Sequence, residues 1–321
     1  LAALHAGQGA VLEGAWGSVC ALAAASLLPH NPAPLVVVWP HADDLDPFCD
    51  DLRLFSSVEP EVFPAWETFR REQTITDEIF GDRLRLLKSL SSSAPPRCIV
   101  TNIQALLQGV PSQQRLAEHG RTLRVGETID LDAFCRWLVE QGFHGSSAVQ
   151  LPGEFSRRGG ILDLFAPDWL DPVRIEFFGD EVESIRRFEV GSQRSSESLD
   201  SVQLTILEPS GDDRDSFFKY LPDASWVVLG EPNDLREESQ RFLSRVEKAD
   251  DYHSFEAVMA QTYGRGTVLA ERIGSGGANV RCRVPVESVE RFSGDMSRLR
   301  QELETAAAGH QVHIVCQTEA E

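Results

Sequence analysis

The residues whose types and spacing could do chemistry lie near the start of the chain, in Gly14-Ala-Trp-Gly17-Ser18-Val19-Cys20-Ala21. They follow a short apolar run from Val11 and lead into an alanine-rich helix expected over Ala21 to Leu28 and stopped by Pro29. A phosphate-binding loop would occupy this place. Such a loop needs glycines that bring backbone N–H groups to the phosphates, a lysine for the β/γ charge, and a Ser/Thr hydroxyl for Mg²⁺. Here Val19 stands where the last glycine belongs, Cys20 where the lysine belongs and Ala21 where the hydroxyl belongs. A helix N-terminus still attracts anions weakly, but the frame predicts no ATP hydrolysis. A second stretch, Trp226-Val-Val-Leu-Gly-Glu-Pro232, has the layout of a strand followed by metal-binding carboxylates. Gly230 holds the aspartate position and only Glu231 remains. Each stretch alone reads as an ordinary strand end. Together, in this order, they read as a vestigial NTPase domain.

Cys20 could alternatively be a nucleophile whose pKa is lowered at a helix N-terminus. A nucleophile needs a positioned base, and no histidine is near in sequence; a small buried residue in place of lysine explains Cys20 equally well. The acidic pairs Asp43-Asp44, Asp50-Asp51 and Asp212-Asp213 read as solvated loop charge rather than a metal cage. Six scattered cysteines without a C-x-x-C pair point to a reducing compartment, with neither a zinc site nor a disulfide framework. His310 and His313 have no obvious partner ligands and read as surface residues.

These candidates must be positioned by the surrounding elements. The 321 residues suffice for two or three domains with real cores. No apolar run approaches the roughly 18 residues of a membrane span, and no signal peptide is visible, so a cytoplasmic, membrane-free protein is expected. The net charge of −20 argues against default duplex-DNA binding, which rests on neutralising phosphates. The chain opens at Leu1 without methionine and stops at Glu321 just after a strand-like run, so it reads as a fragment.

Residues 1–112 alternate strands and helices. Leu35-Val-Val-Val-Trp39 and Cys98-Ile-Val-Thr101 are buried parallel-type strands, and Thr76 to Leu90 is a helix before the Ser91-Ser-Ser-Ala-Pro-Pro96 linker. Residues 113–192 read as a small α+β domain, with Asp130 capping a helix that runs through Gln141 and is terminated by Gly142. Residues 193–321 return to α/β texture. Strands are expected at 226–229, 267–270 and 312–316, helices at 234–246 and 297–308, and a loop at Gly274-Ser-Gly-Gly277. The simplest architecture is one α/β domain interrupted by the small one, with the first and third segments sharing a sheet. Within the small domain, Arg174-Ile-Glu-Phe-Phe178 and Val182 to Phe188 read as a hairpin across Gly179-Asp180. Alternation puts Val173, Ile175 and Phe177 on one face and Arg174, Glu176 and Phe178 on the other. Phenylalanine on a polar face marks either a partner site or a contact with another part of its own domain.

Gly153-Glu-Phe-Ser-Arg-Arg-Gly-Gly-Ile-Leu-Asp-Leu-Phe165, then Arg174 to Glu181 and Ser184-Ile-Arg-Arg-Phe188, resemble the UvrA-binding domain shared by UvrB and the transcription-repair coupling factors. The flanking segments look like the rest of a UvrB-homology module, whose α/β part would be a degenerate P-loop NTPase-like domain. The incomplete loop at Gly14–Ala21, Gly230 in place of the aspartate, and Phe63-Pro-Ala-Trp-Glu67 with Asp82-Arg83-Leu84, in the region of UvrB's DNA-clamping hairpin, resemble the coupling factors more than UvrB.

The resemblance implies that Arg158, Arg174 and Phe178 contact UvrA, and that the module docks UvrA without catalysis of its own. Strand parity across Gly159-Gly160 leaves the face of Arg158 open. The resemblance also implies ATP, Mg²⁺, RNA polymerase and double-stranded DNA as ligands of a translocase motor and a polymerase-binding domain beyond Glu321, and no cofactor within this chain. Two alternatives stand beside it: an active UvrB-like ATPase, and a module whose hairpin face packs on a downstream domain and restrains the motor.

Overall fold

The computed structural model describes residues 1–66, 78–207, 213–272 and 280–284. Glu67, Asp212, Cys316, the expected loop at 274–277, the helix at 297–308, the strand at 312–316 and both His310 and His313 lie outside them. So do Thr76 and Asp77, the expected start of a helix described from Glu78. All described residues fall within one unit, Leu1–Val284.

In chain order, the first segment carries α1 (Ala2–His5), β1 (Gly9–Glu13), α2 (Ser18–Leu27), β2 (Leu35–Trp39), α3 (Leu45–Phe55), β3 (Pro60–Phe63), α4 (Glu78–Leu90), β4 (Cys98–Asn102) and α5 (Ile103–Leu107). The second carries α6 (Gln113–Glu118), β5 (Gly120–Arg124), α7 (Leu131–Glu140), β6 (His144–Gly145), β7 (Glu154–Arg158), β8 (Ile161–Leu164), β9 (Val173–Phe178), β10 (Glu181–Phe188), β11 (Ser195–Leu199) and β12 (Ser201–Thr205). The third carries β13 (Trp226–Gly230), α8 (Pro232–Arg245), α9 (Phe255–Ala260), β14 (Thr267–Glu271) and β15 (Val280–Arg283).

Seven strands from the first and third segments form one sheet in the order β15-β1-β14-β13-β2-β4-β3. Every pairing in it is parallel. The continuous apolar run of β2 follows from burial on both faces: Val36 and Val38 enter one core, Leu35 and Val37 the other. The first core includes α4, α5, α8 and α9; the second includes α2 and α3. The shared sheet expected for the two outer segments is therefore present.

The inserted part contains a six-stranded sheet, β11-β10-β9-β8-β7-β6, and a separate antiparallel pair, β12-β5. Its sheet is antiparallel except for the short β6–β7 pairing. Asp130 caps α7 by accepting the Ala133 amide, as its residue type suggests. The strands run past the boundary expected at 192, because β11 extends the six-stranded sheet and β12 returns to pair with β5.

The chain leaves and re-enters the α/β body at one point, where Val110 and Asp215 exchange two backbone hydrogen bonds of 2.9 and 3.1 Å. Arg115 and Asp213 form an ion pair beside it. A second attachment lies on α4. There the Pro167 carbonyl sits so close that a Cβ on Gly81 would lie 2.1 Å from its oxygen. One residue on, the buried Asp168 carboxylate pairs with Lys88. The small domain is thus joined to the α/β body at the Val110–Asp215 crossing and again along α4. We predict that Gly81→Ala, a favourable change in an unconstrained helix, destabilises the protein by about 1–3 kcal/mol through overpacking against Pro167. Urea denaturation measures it, and unchanged or raised stability would show the attachment to be loose.

Candidate protein-docking face

The register of β7–β10 settles which side chains share a face. Arg158 pairs with Ile161, Ile161 with Glu176 and Glu176 with Ser184. In the neighbouring row Ser156 pairs with Asp163, Asp163 with Arg174 and Arg174 with Arg186. Directly paired residues project on the same side of a sheet, so Arg158 shares the face of Arg174 and Phe178. Parity across Gly159-Gly160 is resolved by the hairpin itself, with Gly159 at φ +61° between the paired Arg158 and Ile161. The Gly179-Asp180 turn has the same form: Phe178 pairs with Glu181 and Gly179 lies at φ +62°. Positive φ at the first central residue alone is the type II′ pattern, which suits glycine there.

The opposite face is closed. Val173, Ile175 and Phe177 of β9 join Leu162, Leu164, Val182 and Ile185 in a core against Leu131, Phe134 and Leu138 of α7. With that face committed to the core, Arg174, Glu176 and Phe178 must project outward.

The outer face is not uniform. At one end Val149, from the loop before β7, covers it and packs with Phe165 and Phe188 in a small second core. Ser147 in the same loop accepts hydrogen bonds from Arg158 Nη2 at 2.8 Å and Ser156 Oγ at 3.2 Å. At the hairpin end the face is open. Phe178 is 80% exposed and Ile161 37% exposed. Arg158 is exposed beside them. Glu176 accepts a hydrogen bond from Ser184 Oγ at 2.7 Å and pairs with Arg186 at 3.4 Å. Phe178 is therefore not buried by its own domain. An exposed phenylalanine and isoleucine between arginines have the composition of a binding hot spot.

Ile161 and Arg186 belong to this patch but do not stand out in the sequence. The signal for Ile161 is its place directly after the Gly-Gly turn, opposite Arg158. Arg174 is more enclosed than Arg158 or Phe178, because Asp163 and Phe188 engage it.

The second candidate, at Gly14–Ala21, does have the strand-turn-helix shape expected of it. Gly17 at φ +54° is the N-cap position of α2. Cys20 packs inward with Ala21 and Ala24, and burial, reinforced by the Glu231 carboxylate, pushes its thiol up to about 12. Its thiolate is thus suppressed, the opposite of the lowered pKa a nucleophile would need. Where a metal-binding aspartate would stand, a Cβ on Gly230 would lie 2.6 Å from atoms of the Trp39 ring. The remaining carboxylate, Glu231, accepts the Arg272 amide at 3.1 Å and pairs with its Nε at 3.2 Å. Glu231 itself lies in the left-handed region, at φ 49° and ψ 71°. Among the described residues no group of three or more His, Cys, Asp or Glu could hold a metal ion. No described helix is long and apolar enough to cross a membrane.

Residues 122–206, which contain the open face, match the family model described as the UvrB interaction domain. A transcription-repair-coupling factor of Staphylococcus aureus is 36% identical to this chain over 165 residues, covering 51% of this chain and 14% of the relative. One from Staphylococcus haemolyticus is also 36% identical over 165 residues, with the same coverage. A further Staphylococcus aureus relative is 37% identical over 157 residues, covering 48% of this chain and 13% of its own length. The match thus spans about 14% of the length of the curated relatives. Over half its length the chain is thus similar to the transcription-repair-coupling factors, and its small sheet lies in the stretch that matches the UvrB interaction domain model.

Proposed function

We propose that this chain is a docking module of transcription-coupled nucleotide excision repair that recruits UvrA through the open end of the small sheet. The observation that carries the reading is the exposed Phe178, flanked by Ile161 and Arg158 on a face whose reverse side is sealed. Burying a large ring that folding leaves in water is the main gain available to a partner. The arginines around it set the partner's polar requirements. Arg158, Arg174 and Phe178 are the proposed UvrA contacts, with Ile161 added to the apolar centre. RNA polymerase and double-stranded DNA would be engaged by other parts of a longer protein, as would ATP and Mg²⁺.

The module is non-catalytic in this reading. Trp39 fills the space beside Gly230, Cys20 is a buried neutral thiol, and Val19 and Ala21 carry none of the polar groups a bound nucleotide triphosphate needs. These features weigh against the UvrB-like ATPase alternative.

Phe178→Ala and Arg158→Ala are predicted to weaken UvrA binding by about 2 kcal/mol or more each, near thirtyfold, as for hot-spot residues. Isothermal titration would read the loss, and circular dichroism should show the fold retained; unchanged affinity in both variants would overturn the docking assignment. The absence of a working nucleotide site predicts no ATP binding in a millimolar titration, whereas micromolar affinity would restore the ATPase alternative. Cys20 should resist iodoacetamide at pH 8 while the exposed Cys282 is alkylated, as mapped by mass spectrometry. Rapid modification of Cys20 in the folded protein would contradict the suppressed thiolate.

A further inference from the structure

Asp163 is the one charged residue in β8, set between Leu162 and Leu164, and its side chain is only 3% exposed. Arg174 on the adjacent strand meets it in a two-pronged pair. Nε donates to Oδ1 at 2.7 Å and Nη2 donates to Oδ2 at 2.9 Å. The guanidinium carbon lies 4.8 Å from the centroid of the Phe188 ring. The pair raises the pKa of Arg174 further above its ordinary value, mainly through the hydrogen bond to Asp163. One edge of the guanidinium and one of its faces are thus occupied. Nη1 has no partner among the described residues, and the side chain keeps 21% exposure on the face from which Phe178 projects.

A two-pronged carboxylate contact fixes the guanidinium plane far better than a single contact. A buried ion pair is seldom worth more to stability than an apolar pair of similar volume, because both charges lose their water. What the pair does supply is orientation. A long side chain ordered before the partner arrives loses less freedom on binding.

We infer that Asp163 is a positioning residue for docking: it holds Arg174 so that Nη1 points at a carboxylate on the partner surface. This rests on the UvrA-docking reading above. The carboxylate of Asp163 does not itself touch the partner; it acts through Arg174.

The test is a double-mutant cycle in UvrA affinity, read by titration alongside thermal melts. Asp163→Asn should weaken binding by about tenfold in the natural background, the middle of the range for coupled residues in contact. In an Arg174→Ala background the same change should alter affinity less than about twofold, since additivity holds for uncoupled groups. A companion variant, Asp163→Leu with Arg174→Leu, replaces the pair by apolar side chains and should keep the melting temperature while losing UvrA affinity. A purely structural pair would keep both. Equal losses in the two backgrounds, or a folded Leu-Leu protein that binds normally, would overturn the inference. Should the Leu-Leu protein fail to fold, the cycle alone decides. Loss of binding in Phe178→Ala without loss in Arg174→Ala would remove this role for Asp163 while leaving the docking face standing. No loss in either would remove the docking face itself.

Discussion

Alternation along β9 is the constraint on which the rest of the small domain depends. Val173, Ile175 and Phe177 are bound into the core against α7. A slip of one residue would bury Arg174, Glu176 and Phe178 and expose that core, so the register has no affordable alternative. The outward projection of Phe178 follows from that commitment. Neighbouring strands extend the same logic: Leu162 and Leu164 face in, while Ile161 and Asp163 face out. One end of the outer face is then covered by Val149, Phe165 and Phe188, and the hairpin end is left open.

The α/β body carries this face through two sets of contacts. A single crossing point at Val110 and Asp215, with a second contact at Gly81 and Pro167, holds the small domain at two separated places. Hydrophobic burial on both faces of the parallel sheet supplies its stability. At the C-terminal ends of β1 and β13, where ligands commonly bind in such sheets, the space beside Gly230 is taken by Trp39. Glu231 there is tied to Arg272.

Much of this was legible in the sequence, for physical reasons that differ by element. The buried strands β2, β4 and β13 announce themselves as short apolar runs, and the α7 cap by Asp130 is a local hydrogen bond. The alternation of β9 is equally local, so the outward position of Phe178 was readable, though its exposure was not. Strands β5, β11 and β12 are polar and short, and β5 and β12 find each other only across the whole small domain, while β11 pairs with the preceding β10. That is why the small domain's sheets extend beyond residue 192. The Asp163–Arg174 pair shows the same limit: each residue is visible alone, but the two-pronged geometry depends on the β8–β9 register. Trp39 beside Gly230 is a contact between neighbouring strands that lie far apart in sequence, and no motif encodes it.

The central claim is that the partner meets the open hairpin end of the small sheet. Hydrogen–deuterium exchange of the chain with and without UvrA tests it most directly, because it maps protection without altering any side chain. The account predicts new protection in peptides spanning 156–163 and 174–186, with the α2 and β1 region unchanged. Protection confined to the α/β body, or UvrA binding that leaves both hairpins exchanging as in the free chain, would contradict it.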